Sequence, residues 1–255
     1  MIPRKLGKHA PRHDPRTLLF ERYIDFGKLP KPPDELDLLQ GRTGPWPMHA
    51  NDDIGDCTIA ALANQIETWT ADIGHPVTIP DTDVLAAYSA VSGYIPGKEE
   101  TDQGASMLDV LGYWRRTGLS GHTLEGYASI RLGDPRLQRT AAWLFSGLQI
   151  GINLPLSAKD QIDAGEPWTF TSKRGRGKPG SWGGHAVYLC GYDAKGVILR
   201  TWDEVQRADW RWMKEYCDEI YACLDEQDAF IEENGTSISG FDVQTMRADL
   251  RRIGK

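Results

Sequence analysis

The chain has 255 residues, of which 40% are hydrophobic and 25% are charged. This composition is typical of globular proteins and disfavours a disordered chain, a collagen-like repeat or a coiled coil. The formal net charge is −7, although residues 1–30 carry seven Lys and Arg against three Asp and Glu. Because the rest of the chain is strongly acidic, we do not expect nucleic acid to be a partner.

Residues 1–48 are rich in proline and basic residues and hold one short apolar patch, at residues 18–20. This composition predicts an extended arm that lies on the body of the protein rather than a compact domain. The basic arm is either a docking segment for another protein or a solvated terminus. No apolar signal region or membrane-spanning stretch is found, so we expect a cytoplasmic protein with no membrane partner.

The cysteines are too few and too irregularly spaced for a disulfide framework or a structural zinc site. They are Cys57, Cys190, Cys217 and Cys223. We therefore expect free thiols, no cofactor and no metal.

Residues 49–148 have the apolar spacing of helices. The clearest signal is a set of five apolar residues at steps of three and four, which line one face of a helix. They are Ile59, Leu62, Ile66, Trp69 and Ile73. Similar spacing predicts three further helices, beginning near residue 81, over residues 104–117 and over residues 137–148.

From residue 148 onward, the pattern changes to that of strands. The predicted strands cover residues 148–156, 185–192, 197–202 and 220–224. The turn sequence Asp-Ala-Lys-Gly at residues 193–196 predicts that the two middle strands form an antiparallel hairpin. We therefore predict an α+β fold, in which a helical lobe of residues 49–148 precedes an antiparallel sheet lobe of residues 149–255.

Cys57 stands in the first turn of the predicted long helix. The unpaired N–H groups and partial positive charge at that end favour a thiolate, which is the nucleophile that acyl transfer requires. We expect the carboxylate of the preceding Asp56 to cap the helix. On this evidence alone, Cys57 is equally well explained as a small apolar residue at a helix start.

His185 opens a predicted strand directly after Gly183 and Gly184. The two glycines leave room around the imidazole, and a histidine at the end of a strand can face a cleft. A nucleophilic cysteine requires such an imidazole as its base, together with a third group that orients the ring. We therefore expect Cys57 and His185 to meet between the two lobes.

The order of these motifs resembles the papain-like cysteine peptidase superfamily, including the bacteriocin-processing peptidases. Asn51 stands six residues before Cys57, and Gly-His-Ala-Val follows at residues 184–187. The resemblance implies a papain-like two-lobed fold, with Cys57 as nucleophile and His185 as general base and acid. It also implies an oxyanion hole made by the Asn51 amide and the Cys57 N–H. The chain also looks like uncharacterised bacteriophage members of the superfamily, which implies an association with a virion.

The third catalytic residue departs from the pattern of the superfamily. An ungapped match places it at Thr201, whose neutral hydroxyl is poorly suited to hold an imidazolium. If the turn at residues 193–196 is a three-residue loop, Asp203 lies opposite Val187 and on the same face as His185. Because only a carboxylate offers the imidazole a charged partner, we choose Asp203 as the third residue.

Together, these residues predict a cysteine hydrolase that cleaves peptide or isopeptide bonds through a thioester. Two alternatives remain open. One is a structural or binding protein of a phage particle that keeps the fold without the chemistry, and the other is a transglutaminase-like acyl transferase. We do not expect an inhibitory pro-region, because the roughly 30 proline-rich residues before the family-like start are short for an inhibitory helical domain.

Overall fold

The computed structural model describes residues 3–225 and 239–253. The α-helices of these residues are α1 (Cys57–Asp72), α2 (Asp81–Ser92), α3 (Met107–Arg116), α4 (Pro135–Leu144), α5 (Leu156–Asp163), α6 (Trp210–Tyr216) and α7 (Val243–Ile253). Three of them begin at an aspartate whose side chain caps the helix. Asp134 accepts the Leu137 N–H before α4, Asp209 accepts the Trp212 N–H before α6, and Asp242 accepts the Thr245 N–H before α7. In this described part of the chain, every helix is too short or too polar to cross a lipid bilayer.

The strands form one sheet. They are β1 (Leu18–Leu19), β2 (Leu36–Asp37), β3 (Leu124–Ser129), β4 (Leu148–Leu154), β5 (Gly183–Tyr192), β6 (Gly196–Thr201), β7 (Glu204–Asp209) and β8 (Cys217–Asp225). Their order is β1-β3-β8-β4-β5-β6-β7, and β2 pairs with the end of β5. The pairing of β1 with β3 is parallel, and the other pairings between these strands are antiparallel.

The predicted α+β fold is confirmed, with a long helix that begins at Cys57 and a sheet that contains the C-terminal strands. The predicted hairpin is present as β5 and β6. The sheet also takes a strand from residues 49–148, because β3 pairs with β8. The sheet is therefore not confined to residues 149–255.

Two apolar cores lie against the sheet. One is built by α1, α2 and α3 and reaches the sheet at Ala186 and Tyr221. The other contains Val187 and is covered by α4, α6 and α7. Since neighbouring residues of a strand face opposite sides, Ala186 and Val187 show that β5 separates the two cores.

The N-terminal arm, residues 3–48, runs along the body and also enters the core. Phe20 is fully buried and makes an edge-to-face contact with Phe145, with ring centroids 5.4 Å apart. Two short strands of the arm belong to the sheet, where β1 pairs with β3 and β2 pairs with β5. Part of the arm is therefore integral to the fold.

Buried polar residues of the sheet hold α1 in position. Gln149 of β4 donates to the Ala61 carbonyl at 3.0 Å and to Gln65 Oε1 at 2.6 Å. Arg200 of β6 donates to the Glu67 carboxylate at 2.9 Å. Because buried polar groups are costly without partners, these bonds fix the position of α1 on the sheet.

Glu67→Ala should lower the free energy of unfolding by about 3–5 kcal/mol, because it leaves the Arg200 guanidinium buried without its carboxylate. The Arg200 side chain is only 3% exposed. Unfolding in urea, followed by circular dichroism, measures the loss. Replacing both charges, with Glu67→Leu and Arg200→Met, should recover a large part of it.

The control for this measurement is Asp160→Ala, which breaks an ion pair with Arg176 on the surface, where both side chains are more than half exposed. We expect this change to leave the free energy of unfolding nearly unchanged. Similar losses for the buried and the exposed pair would contradict the anchoring role of Glu67.

Candidate active site

Cys57 is buried at the first position of α1, and the loop before it determines where its sulfur lies. His49 and Ala50 adopt left-handed backbone conformations, with φ of 56° and 64°. The N–H groups of Asp53 and Ile54 both donate to the Ala50 carbonyl at 3.0 Å, which closes the loop. This compact turn brings the chain directly into α1 with Cys57 at the helix N-terminus.

Asp56 does not have the capping role that the sequence predicts. Its side chain makes no capping hydrogen bond, and it is its backbone carbonyl that accepts the N–H groups of Ile59 and Ala60. The carboxyl is fully buried, and burial raises the pKa of Asp56 well above its usual range, an effect that the nearby Asn51 amide offsets only in part. The uncharged form of Asp56 is therefore favoured, because burial removes the water that would solvate a carboxylate.

His185 lies near the start of β5, opposite Ile152 of β4. The next residue, Ala186, packs in one buried cluster with Cys57, and its backbone N–H lowers the pKa of the thiol. Cys57 therefore lies directly against the strand that carries His185. His185 Nδ1 is buried, and within the described residues it has no hydrogen-bond partner. The structure thus places Cys57 against the strand that carries His185, between the helical core and the sheet, and the catalytic roles of the two residues stay predictions.

Thr201, and not Asp203, holds the imidazole of His185. The ring nitrogen Nε2 lies 2.6 Å from Thr201 Oγ1. Strand β6 ends at Thr201, and Trp202, with φ of 49°, turns the chain toward β7. Asp203 lies in this two-residue turn and is half-exposed. The expected contact between Asp203 and His185 is therefore wrong, since Thr201 makes it instead, and the role of Thr201 as third catalytic residue is a prediction.

The register of the β5–β6 hairpin explains this correction. The Asp193 N–H donates to the Gly196 carbonyl at 2.9 Å, so the turn has two residues between the paired positions rather than three. A bulge further along β5 shifts the register again, so that Tyr188 faces Arg200. The alternation of side chains along β6 was expected to place Asp203 beside His185. Strand β6 instead ends at Thr201, one residue after Arg200, so the alternation does not reach Asp203.

Trp202 covers the imidazole of His185. The two rings are stacked, with centroids 4.1 Å apart and planes 13° from parallel. Trp182 stacks in turn on Trp202, with centroids 5.6 Å apart. These aromatic rings shield the bond between His185 and Thr201 from water.

Asn51, the predicted oxyanion donor, lies in the loop that leads to Cys57 and is buried. Its side-chain Nδ2 donates to the Ile54 carbonyl at 3.1 Å. One amide N–H is therefore used within the loop. The role of Asn51 in an oxyanion hole stays a prediction, which relies on the second N–H.

The cysteines and the possible metal ligands of the described residues bear on the chemistry of the site. All four cysteines of the chain are free thiols. Within residues 3–225 and 239–253, no group of three or more His, Cys, Asp and Glu side chains is placed to hold a metal ion.

Solved structures with the same arrangement of helices and sheet are cysteine proteases. Xylellain, from Xylella fastidiosa, matches with a TM-score of 0.68 at 14% identity, over 88% of this chain and 98% of that one. Procathepsin B S9 from Trypanosoma congolense matches with a TM-score of 0.58 at 11% identity, over 87% of each chain. The chain has the papain-like fold. Procathepsin L 3 of Tenebrio molitor is also similar, with a TM-score of 0.56 at 13% identity, over 88% of this chain and 76% of that one. No family model and no curated protein matches the sequence.

In this papain-like fold, residues 5–9 of the arm lie across the cleft between the helical core and the sheet. The Lys5 carbonyl accepts the indole N–H of Trp202 at 3.2 Å. The backbone N–H of Gly7 lies near enough to Cys57 to lower the pKa of its thiol. The arm therefore covers Cys57 and also contacts the tryptophan that stacks on His185.

The arm backbone is hydrogen-bonded to both walls of the cleft. On the helical side, the Gly7 carbonyl accepts the Ala105 N–H at 2.8 Å, and the His9 N–H donates to the Ala105 carbonyl at 3.0 Å. On the sheet side, the Lys8 N–H donates to the Gly184 carbonyl at 3.1 Å. The arm is thus held as an extended peptide between two edges.

Glycines make this close approach possible. A Cβ on Gly7 would overlap the carbonyl oxygen of Gly55, and a Cβ on Gly104 would overlap the carbonyl of Gly7. A Cβ on Gly184 would overlap the carbonyl of Lys8. The room that the sequence predicts before His185 is therefore filled by the arm.

With the arm in place, neither member of the pair is charged. Burial raises the pKa of Cys57 to about 11, and the N–H groups of Ala186 and Gly7 offset this only in part. Burial also lowers the pKa of His185 to about 3, and the positive charge of Lys8 acts in the same direction. The thiolate expected at a helix N-terminus is not favoured in this state, because burial outweighs the effect of the helix.

Asp56→Asn should stabilise the protein at neutral pH, because it replaces a buried ionisable group with a neutral one of the same shape. When the folded pKa lies above the unfolded value, the stability that the group contributes is fully present below about pH 4 and is lost as the pH rises toward the folded pKa. The gain from the substitution should therefore increase as the pH rises. Urea unfolding of both proteins across this range measures the difference in unfolding free energy, and a pH-independent difference would contradict the expectation.

Gly7→Ala should displace the arm from Cys57, because the added methyl group overlaps the Gly55 carbonyl oxygen. We expect iodoacetamide to label Cys57 at least about tenfold faster than in the unchanged chain, since exposure removes the main cause of its raised pKa. Peptide mapping of the labelled protein measures the rate at this cysteine alone.

Gly27→Ala is the matched control, since it places the same side chain on the same arm. Here the nearest atom to the added Cβ is in the Asp25 side chain, at 3.2 Å. The labelling rate of Cys57 should not change. Equal labelling of the two variants would show that the arm does not control access to the sulfur.

Proposed function

We propose that the chain is a cysteine hydrolase that cleaves peptide or isopeptide bonds, with Cys57 as nucleophile and His185 as general base. The observation that carries this proposal is the packing of Cys57, at the start of α1, in one buried cluster with Ala186, the residue that follows His185 on β5. Thr201 and the stacked Trp202 hold the histidine ring, which leaves Nδ1 for the thiol. The papain-like fold, which the chain shares with cysteine proteases, supports the same reaction class.

The reaction begins with proton transfer from Cys57 Sγ to His185 Nδ1. The sulfur forms a bond to the substrate carbonyl carbon, and an electron pair of the C=O bond moves to the oxygen. The Cys57 backbone N–H at the helix N-terminus stabilises this oxyanion, with the Asn51 amide as second donor. When the intermediate collapses, the C–N bond breaks, and His185 gives its proton to the leaving nitrogen.

Water completes the cycle by attacking the thioester. His185 accepts a proton from the water as the new C–O bond forms, and the C–S bond then breaks. The proton returns to the sulfur as the acid product leaves. The protein thus returns to its starting state, with one peptide bond exchanged for a carboxyl group and an amine.

Thr201 orients the histidine ring but supplies no negative charge to stabilise its protonated form. In the tautomer with hydrogen on Nε2, the ring donates to Thr201 Oγ1, and Nδ1 presents the lone pair that a general base requires. Because the hydroxyl is neutral, it stabilises the imidazolium through a hydrogen bond without the added charge of a carboxylate.

The proposal includes a latent state, in which the arm covers the site. A substrate carbonyl cannot reach Cys57 while the Gly7 backbone lies against it, because the thiol is buried in this state. Displacement of the arm hydrates the pair and moves both pKa values toward their ordinary values of about 8.5 for a thiol and 6.5 for an imidazole. The arm therefore acts as an inhibitory segment despite its short length, because residues 5–9 in an extended conformation are enough to cover the sulfur.

Several expectations from the sequence concern the setting of this activity. Association with a virion, docking of the arm on another protein and a cytoplasmic location stay predictions. Transfer of the acyl group to an amine uses the same residues as hydrolysis and is distinguished by its product.

The test compares substitutions in the full-length Gly7→Ala protein, with dye-labelled casein as substrate. Cys57→Ala and His185→Ala should each lower turnover by roughly a thousandfold, since each removes a reacting group. Thr201→Val should lower kcat by about tenfold, with a smaller effect on KM, because Nε2 loses its hydrogen-bond partner. Thr201→Ser keeps the hydroxyl and is the matched control, which should retain most of the activity.

Mass spectrometry of the products identifies the acyl acceptor. Hydrolysis in ¹⁸O-labelled water should place the label in the new carboxyl group, whereas an acyl transferase would join an added primary amine to the substrate. A Gly7→Ala protein with a slowly labelled Cys57 and no turnover that depends on Cys57 would overturn the proposal. That outcome would indicate a fold that is kept without its chemistry.

A further inference from the structure

Lys8 of the arm lies in a closed acidic pocket beside Cys57. Its side chain is 0% exposed. Its Nζ lies 3.1 Å from Asp218 Oδ2, 3.1 Å from Glu219 Oε1 and 2.8 Å from the His9 carbonyl. All three ammonium hydrogens therefore have an acceptor. A lysine is rarely buried unless it is paired in this way, so the pocket is fitted to a cation.

The walls of this pocket are shaped around a straight side chain. Gly151 of β4 leaves room for it, because a Cβ there would lie 2.8 Å from Lys8 Cε. The Tyr221 hydroxyl donates to Glu219 Oε2 at 2.9 Å and so holds the carboxylate in place. The pocket thus has space for the stem of a long side chain and fixed acceptors at its end.

The backbone on either side of Lys8 is bound in a way that any peptide could reproduce. The bonds to Gly184 on one wall and Ala105 on the other use main-chain groups only. An extended peptide whose backbone passes the Cys57 sulfur along the same edges would place a neighbouring side chain in the same pocket. The position of the Lys8 side chain therefore indicates where a side chain of the substrate would lie.

The charges of the pocket favour a cation over other occupants. Burial raises the pKa of Asp218 and of Glu219, and the charge of Lys8 acts against this in both cases. Without a cation, the two carboxyls would repel each other and lack a charged partner. An apolar side chain in place of Lys8 would leave the two carboxyls buried and without a charged partner, which is costly.

We propose that Asp218 and Glu219 form a specificity pocket that selects a basic side chain of the peptide substrate. This inference rests on the proposed function. Lys8 occupies the pocket in the latent state, and a lysine or arginine of the substrate occupies it after the arm is displaced.

Turnover of matched peptides tests the pocket. The full-length Gly7→Ala protein is given fluorogenic peptides that carry Lys or Leu at one position, and the varied position is moved along the peptide. At one position, kcat/KM for the Lys peptide should exceed that for the Leu peptide by at least about tenfold. The double change Asp218→Asn and Glu219→Gln should remove most of this ratio.

Two further variants sharpen the result. Gly151→Ala narrows the pocket without removing either carboxylate, because its added Cβ would overlap Glu219 Cγ and lie 3.0 Å from Asp218 Oδ1, so it should also lower the Lys-to-Leu ratio. Glu125→Gln removes a carboxylate that pairs with Arg247 elsewhere on the sheet, and it should preserve the ratio. A ratio near one, or a ratio that survives both the double change and Gly151→Ala, would overturn the proposal.

A binding measurement tests the pocket without turnover. A fluorescein-labelled peptide with the sequence of residues 4–12 is titrated into the Cys57→Ser, Gly7→Ala protein and followed by fluorescence anisotropy. The same peptide with Lys8→Met should bind at least about tenfold more weakly. This difference should disappear when Asp218→Asn and Glu219→Gln are added to the protein.

The two measurements separate the failure of the pocket from the failure of the proposed function. Binding that depends on Lys8, without turnover that depends on Cys57, would support the pocket and contradict the hydrolase. Turnover that depends on Cys57, without a preference for lysine in either measurement, would support the hydrolase and contradict the pocket.

Discussion

The packing of the first turn of α1 against the start of β5 is the contact on which the arrangement of the site depends. It places a helix N-terminus from one core against a strand that borders both cores. The contact is fixed from both directions, by Gln149 and Arg200 from the sheet and by the tight loop before Asp56. Because these anchors are buried hydrogen bonds and ion pairs, the sulfur and the imidazole are held by the rigid part of the molecule.

The parts of the fold that the sequence predicts are those with local signals. The apolar spacing of α1 and the turn between β5 and β6 each lie within a short stretch, so they identify their elements without knowledge of the rest. Cys57 and His185 can be selected as candidates for the same reason, because each stands at the end of such an element, and their catalytic roles stay predictions. The partial charge expected at Cys57 is also local, but burial of the thiol outweighs it.

The parts that the sequence does not predict depend on distant contacts. Strand β3 contains glycine, alanine and serine, and its conformation comes from pairing with β8 rather than from its own preferences. The choice between Thr201 and Asp203 turns on one bulge and one left-handed tryptophan, which have no clear pattern in a single sequence. The ion pairs of Lys8 join residues more than 200 positions apart, so the basic character of the arm could suggest an acidic partner but could not locate it.

The part of the arm that covers Cys57 is held by ion pairs on both sides of the sulfur. Arg4 pairs with Asp163 and Glu204 at 2.9 and 2.7 Å, and Lys8 pairs with the acidic pocket beyond Gly7. The same peptide is covalently joined to the sheet through β1. After each transient opening, such a tethered segment returns at an effective concentration of about a millimolar, whatever the concentration of the protein. Dilution therefore does not uncover the sulfur, and lasting exposure requires either a cut in the tether or a competing peptide in excess.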